Sequence, residues 1–285
     1  TGRGCARPDG STYSHAGTRT DPLGPIGRTD GPVRFASLGS GSRGNATLVE
    51  AGGTRLLVDC GYSRRELERR LALAGVDPES IDAILITHEH ADHVTGVGAV
   101  ARRYGLPVWC TRGTWRGFDM GEVARLHLFT PQVDGFRIGD LKVRPYPVPH
   151  DAREPVQYVF EADRRRLGVL TDTGSLTPHI LERLDGVDAL LLECNHDPGM
   201  LASGPYPPRL QARVGGALGH LSNGQAAHLL SRLEHARLRH LVAAHLSEKN
   251  NHPDLAREAV SSVCASLDDR LSVLAQSEVS GWFTV

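Results

Sequence analysis

The sequence predicts an α/β fold. Three observations predict it: short apolar runs recur from residue 33 onward, segments of helical spacing lie between several of them, and no internal repeat is present. The runs fall at 33–38, 46–50, 55–59, 81–87 and 107–111, then at 141–148, 156–162, 166–171, 189–193, 240–244 and 271–274. Each is built from Val, Ile and Leu and bounded by Gly, Asp or Pro, as buried strands are. Helical spacing covers 63–73, 176–184, 222–235 and 254–267. The first of these opens on Ser63 with Glu66 three positions later, the signature of a capping box. Ser222 caps the third.

These elements make one domain over 33–285, long enough to bury a sizeable core. Residues 1–32 are Gly, Pro, Arg, Thr and Ser with almost no large apolar side chain. They read as a disordered extension, and His15 within them is discounted as a ligand. A net charge of −1 neither demands a polyanionic partner nor forbids one, because a local basic patch acts within a neutral total. Cys5, Cys60, Cys110, Cys194 and Cys264 form no C-x-x-C pair, which suits reduced thiols in a cytoplasmic protein. No stretch approaches the roughly 20 apolar residues of a membrane span, and no apolar signal segment opens the chain.

Chemistry concentrates directly after the run 81–87, in His88-Glu89-His90-Ala91-Asp92-His93. Imidazole nitrogens and carboxylate oxygens are what Zn and similar divalent ions accept. Neighbouring residues point in different directions, so ligands this close suit two adjacent ions. A solvated His-rich turn is the bland alternative, and matching residues downstream argue against it. His150, Asp172 and His245 each follow a strand-like run. A carboxylate can bridge two cations. His88, His90 and His150 are therefore expected on the first metal, and Asp92, His93 and His245 on the second, with Asp172 between them. A pair of ions can clamp and activate a water for hydrolysis.

The order H-x-H-x-D-H, then His, Asp and His, resembles the metallo-β-lactamase superfamily. That resemblance implies a four-layer αββα sandwich with the metals at one edge of the two sheets. Leu57-Val58-Asp59-Cys60-Gly61 is similar to the superfamily's first motif, whose aspartate supports the site. Further stretches resemble the YycJ/WalJ-like branch: Ser40-Gly41-Ser42-Arg43-Gly44-Asn45-Ala46, Glu193-Cys194-Asn195-His196-Asp197, Gly204-Pro205-Tyr206-Pro207, Gly219-His220-Leu221-Ser222-Asn223, His245-Leu246-Ser247 and Asn250-Asn251-His252-Pro253. Arg43 departs from the small residue expected in the Gly-rich loop.

Glu193 and His220 resemble the proton-shuttling pair of RNase Z enzymes, and a carboxylate holding a histidine does raise and orient its basicity. A helix-capping His220 with a structural Glu193 is the alternative. The loop 39–46 is either a phosphate-binding nest of backbone N–H groups or a tight strand connection. Ser42 and Asn45 in it are candidate substrate contacts. So are Arg209 and Arg213, four apart on one helix side near His220. The arginines at 64–65, 69–70, 102–103 and 164–166 read as solvated faces. His127, His179, His228, His235 and His240 read as core or surface residues.

The implied activity is metal-dependent phosphodiester hydrolysis: an exonuclease acting on single-stranded DNA ends, with a repair link, through a hydroxide activated by two zinc or manganese ions. No inserted second domain fits between Asp172 and His245, where one strand and two helices account for the chain. The alternatives are a lactonase or thioesterase of the same fold, or a non-catalytic regulatory module linked to cell-wall signalling.

Overall fold

Strands that are apolar on both faces need a layer on each side. The structure, a computed structural model, describes residues 31–263 and 265–285. Two seven-stranded sheets form. The first holds β1 (Arg34–Gly39), β2 (Ala46–Ala51), β3 (Thr54–Val58), β4 (Ala83–Leu85), β5 (Val108–Thr111) and β6 (Leu126–Phe129) in that order. The second runs from β7 (Phe136–Ile138) through β8 (Leu141–Pro147), β9 (Val156–Ala162), β10 (Arg165–Leu170), β11 (Ala189–Glu193) and β12 (His240–Ala244) to β13 (Leu271–Val273). β14 (Phe283–Thr284) returns to pair with β1. The helices are α1 (Arg64–Leu73), α2 (Ala91–Val94), α3 (Val97–Tyr104), α4 (Arg112–Gly117), α5 (Pro178–Leu184), α6 (Pro198–Ser203), α7 (Pro208–Val214), α8 (Asn223–Leu230) and α9 (Pro253–Ser261).

Three buried clusters separate four layers. Phe35, Val49, Leu56 and Leu85 of the first sheet face Val143, Tyr158, Val169 and Leu191 of the second. Outside the first sheet, Leu48, Leu57 and Ile84 meet Leu67 and Leu71 of α1 and Val97 and Val100 of α3. Outside the second, Leu170, Leu190 and Leu192 meet Ile180 and Leu184 of α5, Leu229 of α8 and Val260 of α9. In β11 alone, Leu190 and Leu192 point outward while Leu191 points inward, so each strand feeds two cores. This is the αββα sandwich. Fully burying each such side chain is worth about 1.5–3 kcal/mol, which is why so continuous an apolar run holds its place.

Several expectations need correction. The short edge strands β6, β7 and β14 have no counterpart among the expected runs. The segment 81–87 yields only the three-residue β4. The helix expected over 254–267 stops with α9, and a 3-10 turn follows at Ala265–Arg270. The gap between Asp172 and His245 holds α5 to α8 with β11 and β12, since prolines at 198 and 208 start two extra short helices. The reciprocal capping box belongs to Ser222 and Gln225 at α8. At α1 the Ser63 hydroxyl accepts from Glu66 N, but the Glu66 carboxylate pairs with Arg69 and Arg70. Arg70 is not a solvated face: it is 6% exposed, lies over the Tyr62 ring and donates to the Leu38 and Ser277 carbonyls. The extension expected over 1–32 lies, except for its last two residues, outside the described residues, as do Cys5, His15 and Cys264. Among the described residues no helix is long and apolar enough to cross a membrane.

Topology positions the site. β10, β11 and β12 are parallel, and so are β3 and β4. β8 and β10 both pair antiparallel with β9 and so share a direction. The segments leaving these strands therefore emerge along one edge of the sandwich. They carry Asp59, His88, His150, Asp172, Glu193 and His245.

Candidate metal centre

The chain turns sharply at three of these strand ends. Asp59 (φ 61°), Asp172 (φ 50°) and His245 (φ 56°) adopt left-handed backbone that non-glycine residues rarely take. Such strain of about 1–3 kcal/mol persists only where surrounding structure enforces it. Here it swings three polar side chains to one place at the sheet edge.

Three groups of side chains there bring ligand atoms within 4.8 Å of one another: His88, His90 and His150; His88, His93 and Asp172; and Asp172, Glu193, His220 and His245. The first is the triad expected for one metal. The expected second triad is assembled only in part. Asp172 lies 3.4 Å from His93 Nε2 and 3.2 Å from His245 Nδ1, so it stands between them. Asp92 joins none of the three groups; its carboxylate faces Asn45 Nδ2 at 3.3 Å and His93 Nε2 at 3.6 Å. Glu193 and His220, expected outside the metal set, lie within ligand reach of Asp172 and His245.

A second ring of residues aims the first. The Asp59 carboxylate accepts from Thr87 N and Thr87 Oγ1, both at 2.8 Å, and holds His93 Nδ1 at 2.8 Å. His150 Nδ1 is 3.0 Å from the Gly219 carbonyl, which leaves its Nε2 for the site. His220 Nδ1 is 2.8 Å from Glu193 Oε1, while Glu193 Oε2 accepts from Thr173 N and Leu221 N. Gly61 has no room for a side chain: a Cβ there would sit 1.7 Å from the Asp92 carbonyl. That contact seats the 91–94 helix against the strand end of Asp59.

The electrostatics call for a cation. Burial raises the Asp172 carboxyl, but His245 and His93 outweigh it and hold it well below the usual range. Burial opposes ionisation of Glu193 too, and His220 brings it to about 2. Burial lowers His93 and His245, yet Asp172 reverses the sign in both; His93 ends well above its ordinary value and His245 at about 10. Burial drives His88 well below its ordinary value and lowers His150, so these two are neutral donors. Among the described residues, Asp172 Oδ2 and His245 Nδ1 are buried with ion-pair contacts, 3.2 Å to each other, but no well-formed hydrogen bond. Buried polar atoms are rarely left so. Nitrogen and carboxylate donors around orphaned atoms fit a divalent ion.

The candidate substrate residues fare differently. Asn45 is buried and committed inward: its Oδ1 accepts from Gly41 N at 2.7 Å, and its Nδ2 contacts Asp92 and His93. Ser40 Oγ accepts from His245 N at 3.0 Å. Gly44 N donates to Gly41 O, Ser40 N to Gln276 O and Asn45 N to Asp92 O. The 39–46 loop is thus a tight connection that braces metal-site residues, with most of its amides spent on the protein itself. Arg43 ties it to Glu248 and Gln276. Ser42 stands exposed at the turn. Arg213 donates to Asp151 Oδ2 at 2.6 Å, and Asp151 Oδ1 lies 3.5 Å from His150 Nε2, which places Arg213 at the rim of the centre. Arg209 is exposed one turn earlier on α7, without an ion pair among the described residues. Thr87, Asp151 and Ser40 were missed from sequence; only the adjacency of Thr87 and Asp151 to His88 and His150 could have signalled them.

Comparison with known proteins identifies the family and the fold. Residues 54–245 match the profile described as the β-lactamase superfamily domain. The chain is 36% identical over 234 residues to exodeoxyribonuclease YycJ of Bacillus anthracis, covering 81% of this chain and 89% of that one. It is 36% identical over 241 residues to exodeoxyribonuclease WalJ of Streptococcus pneumoniae, covering 82% and 89%. Among solved structures, the metallo-β-lactamase fold protein YhfI from Bacillus subtilis superposes with a TM-score of 0.68 at 18% identity, covering 88% of this chain and 99% of that one.

Proposed function

The chain belongs to the β-lactamase superfamily and, within it, to the family of YycJ and WalJ; from that premise we propose that this metal-dependent hydrolase is an exonuclease acting on single-stranded DNA ends. The observation that carries the reading is the convergence of three ligand groups on one sheet edge around buried, orphaned atoms of Asp172 and His245. Two divalent ions, zinc or manganese, are proposed there. His88, His90 and His150 would hold one and His93, Asp172 and His245 the other, with Asp92 beside it. When bound, such ions polarise a phosphoryl oxygen and supply an activated water.

The remaining chemistry belongs to the protein's own groups. A leaving oxygen needs a proton, and His220 is placed to give one. Its side chain is 22% exposed while Glu193 behind it is fully buried. Glu193 holds Nδ1 at 2.8 Å, which turns Nε2 away from the carboxylate. A histidine so held is a general acid worth about 10²–10⁴ in rate. Arg213 at the rim would meet a phosphate. The free thiols Cys60, Cys110 and Cys194 are buried, and burial raises each to about 12, which leaves them inert and without a role in the chemistry.

The test is digestion of end-labelled single-stranded DNA, single-stranded RNA and duplex DNA by metal-loaded protein, beside a panel of lactones and thioesters. Progressive shortening of the single-stranded DNA is expected. Turnover confined to lactones or thioesters would overturn the reading.

A further inference from the structure

Beside the metal centre, on the outer face of the second sheet, a groove of about 290 Å³ opens between α5 and α8. We infer that it carries the polynucleotide strand as it leaves the centre, with Arg232 taking a backbone phosphate; this rests on the nuclease reading above. The groove adjoins the centre along the chain: Ser175, at its near end, lies three positions after Asp172, with Thr173 and Gly174 between. Ser175 Oγ donates to the Ala217 carbonyl at 2.7 Å, and Gln225 Nε2 donates to the Gly174 carbonyl at 3.4 Å. Ala217 belongs to the 215–219 turn, which also orients His150 through the Gly219 carbonyl. That turn is therefore a shared wall, with the metal residues on one side and the groove on the other. A Cβ on Gly174 would lie 2.4 Å from Gly219 N, so the wall presses directly on the Asp172 segment.

The lining suits a strand of alternating phosphate and base. Gln225, His228 and Arg232 recur three and four positions apart, which aligns them on one face of α8 and its continuation. Gln225 and His228 span one turn of α8 and Arg232 lies in the turn just past its end, a path and not a point contact. The floor is apolar: Leu176 and Leu181 are half-buried and pack on the outer core. A base can rest on such a floor while its phosphate reaches a cation. The polar groups nearer the centre are already used. Thr177 Oγ1 accepts from Ile180 N, Gln225 completes the capping box, and Ser175 is bonded to the wall. Among the described residues, the exposed His228 ring and Arg232 guanidinium have neither a hydrogen bond nor an ion pair. Two unpaired nitrogenous groups over an apolar floor, at the mouth of a hydrolytic centre, are complementary to a single-stranded polyanion.

The experiment measures binding of labelled phosphorothioate dT12, which resists cleavage, to metal-loaded protein across a salt series. Wild type is compared with Arg232→Glu and with Arg103→Glu, a charge control on α3 in the opposite outer layer. Arg232→Glu should weaken binding about tenfold and flatten the salt slope by about 0.7, the share of one phosphate on a single strand. Arg103→Glu should follow the wild type. Equal losses in both variants would reveal a diffuse charge effect and overturn the groove, as would no loss in either. Digestion of unmodified dT12 is followed in parallel. If wild type digests it and Arg232→Glu binds like wild type, the groove falls and the nuclease reading stands. If Arg232→Glu alone loses binding but wild type digests nothing, the groove stands and that reading falls. A wild type that neither binds nor digests ends both.

Discussion

The two ends of the parallel ribbon β10–β11–β12 both bury acidic groups, and they compensate them in opposite ways. At the end where the strands begin, Asp188 is fully buried and accepts from Arg165 Nη1 at 2.9 Å, Arg166 N at 2.9 Å and Arg237 Nη2 at 3.0 Å. At the end where they finish, Asp172 and Glu193 are equally buried, yet their charged neighbours are histidines and Asp172 Oδ2 makes no hydrogen bond. Arginine keeps its proton under all ordinary conditions, so the first compensation is permanent. Imidazole can surrender its proton, so the second can be exchanged for a metal. The same three strands thus carry a structural ion cluster at one end and a functional one at the other. The carboxylates are equally buried, but their partners differ twice over: the arginines are partly exposed and keep their protons, while the histidines are buried and can exchange theirs.

The most severe way to break the contrast is to remove the acid at the functional end. Asp172→Ala should lower hydrolysis by at least about 10³, or roughly 4 kcal/mol of barrier. Metal content per chain, read by elemental analysis, should fall with it. In chelator the same variant should also be less resistant to denaturant than wild type, because His93 and His245 lose the carboxylate that pairs them and alanine must take a left-handed φ of 50°. Turnover within about tenfold of wild type would mean that Asp172 does not hold the ions.

Next in size is His220→Ala, expected to lower kcat by about 10² to 10³ with metal content unchanged. A p-nitrophenyl phosphodiester, whose leaving group needs no proton, should show a smaller loss. His220 also lies within ligand reach of Asp172 and His245. Stoichiometric loss of metal in this variant would make it a ligand and cancel its role as a proton donor.

At the structural end, Asp188→Asn should cost about 2 kcal/mol of folding stability, a value kept low because Arg165 and Arg237 are partly exposed. Its kcat should match wild type. Burial pushes the Asp188 carboxyl up, but Arg165, the Arg166 amide and Arg237 outweigh it and hold it below its ordinary value. A depressed carboxyl stabilises the fold above its unfolded pKa of about 3.9, and that contribution disappears as pH falls through the folded value. The stability gap between wild type and variant, measured by urea titration, should therefore narrow in acid. An unchanged gap at low pH would show that the variant acts through packing instead.

The two ends also differ in how far they could be read in advance. His88, His90 and His93 crowd one motif, and His150, Asp172 and His245 each follow an apolar run, so residue type and strand-end position pointed to the same edge. Asp188 was invisible because its partners come from two separate segments, 165–166 and 237, whose arginines look like surface residues. The Gly-rich loop left two readings open for another reason. Its composition is the same whether its amides face a phosphate or the protein, and only the structure shows Ser40 and Asn45 turned toward His245, Asp92 and His93. β6 was missed because its residues are half-buried or exposed and lack a strong apolar signal. The pairing of His220 with Glu193 was legible from resemblance, but its closeness to the metal residues was not.

The mildest way to sharpen the contrast is to vary pH at the functional end and leave every residue in place. In the metal-free site burial lowers His93 and His245, yet Asp172 overrides it and raises both; His245 keeps its proton up to about 10. A raised histidine stabilises the metal-free fold below its unfolded pKa of about 6.5, and that share is lost as pH rises through the folded value. An arriving ion must displace those protons, because a ligating imidazole is neutral. Zinc titrations in buffers of different ionisation heat should therefore show release of between one and two protons per chain at pH 7, and affinity should rise with pH by about 1.4 kcal/mol per unit for each proton released. The Asp188 cluster offers no such exchange, so Asp188→Asn should leave the proton count unchanged. Metal uptake without proton release would mean that His93 and His245 are neutral before binding, and that Asp172 is compensated in another way.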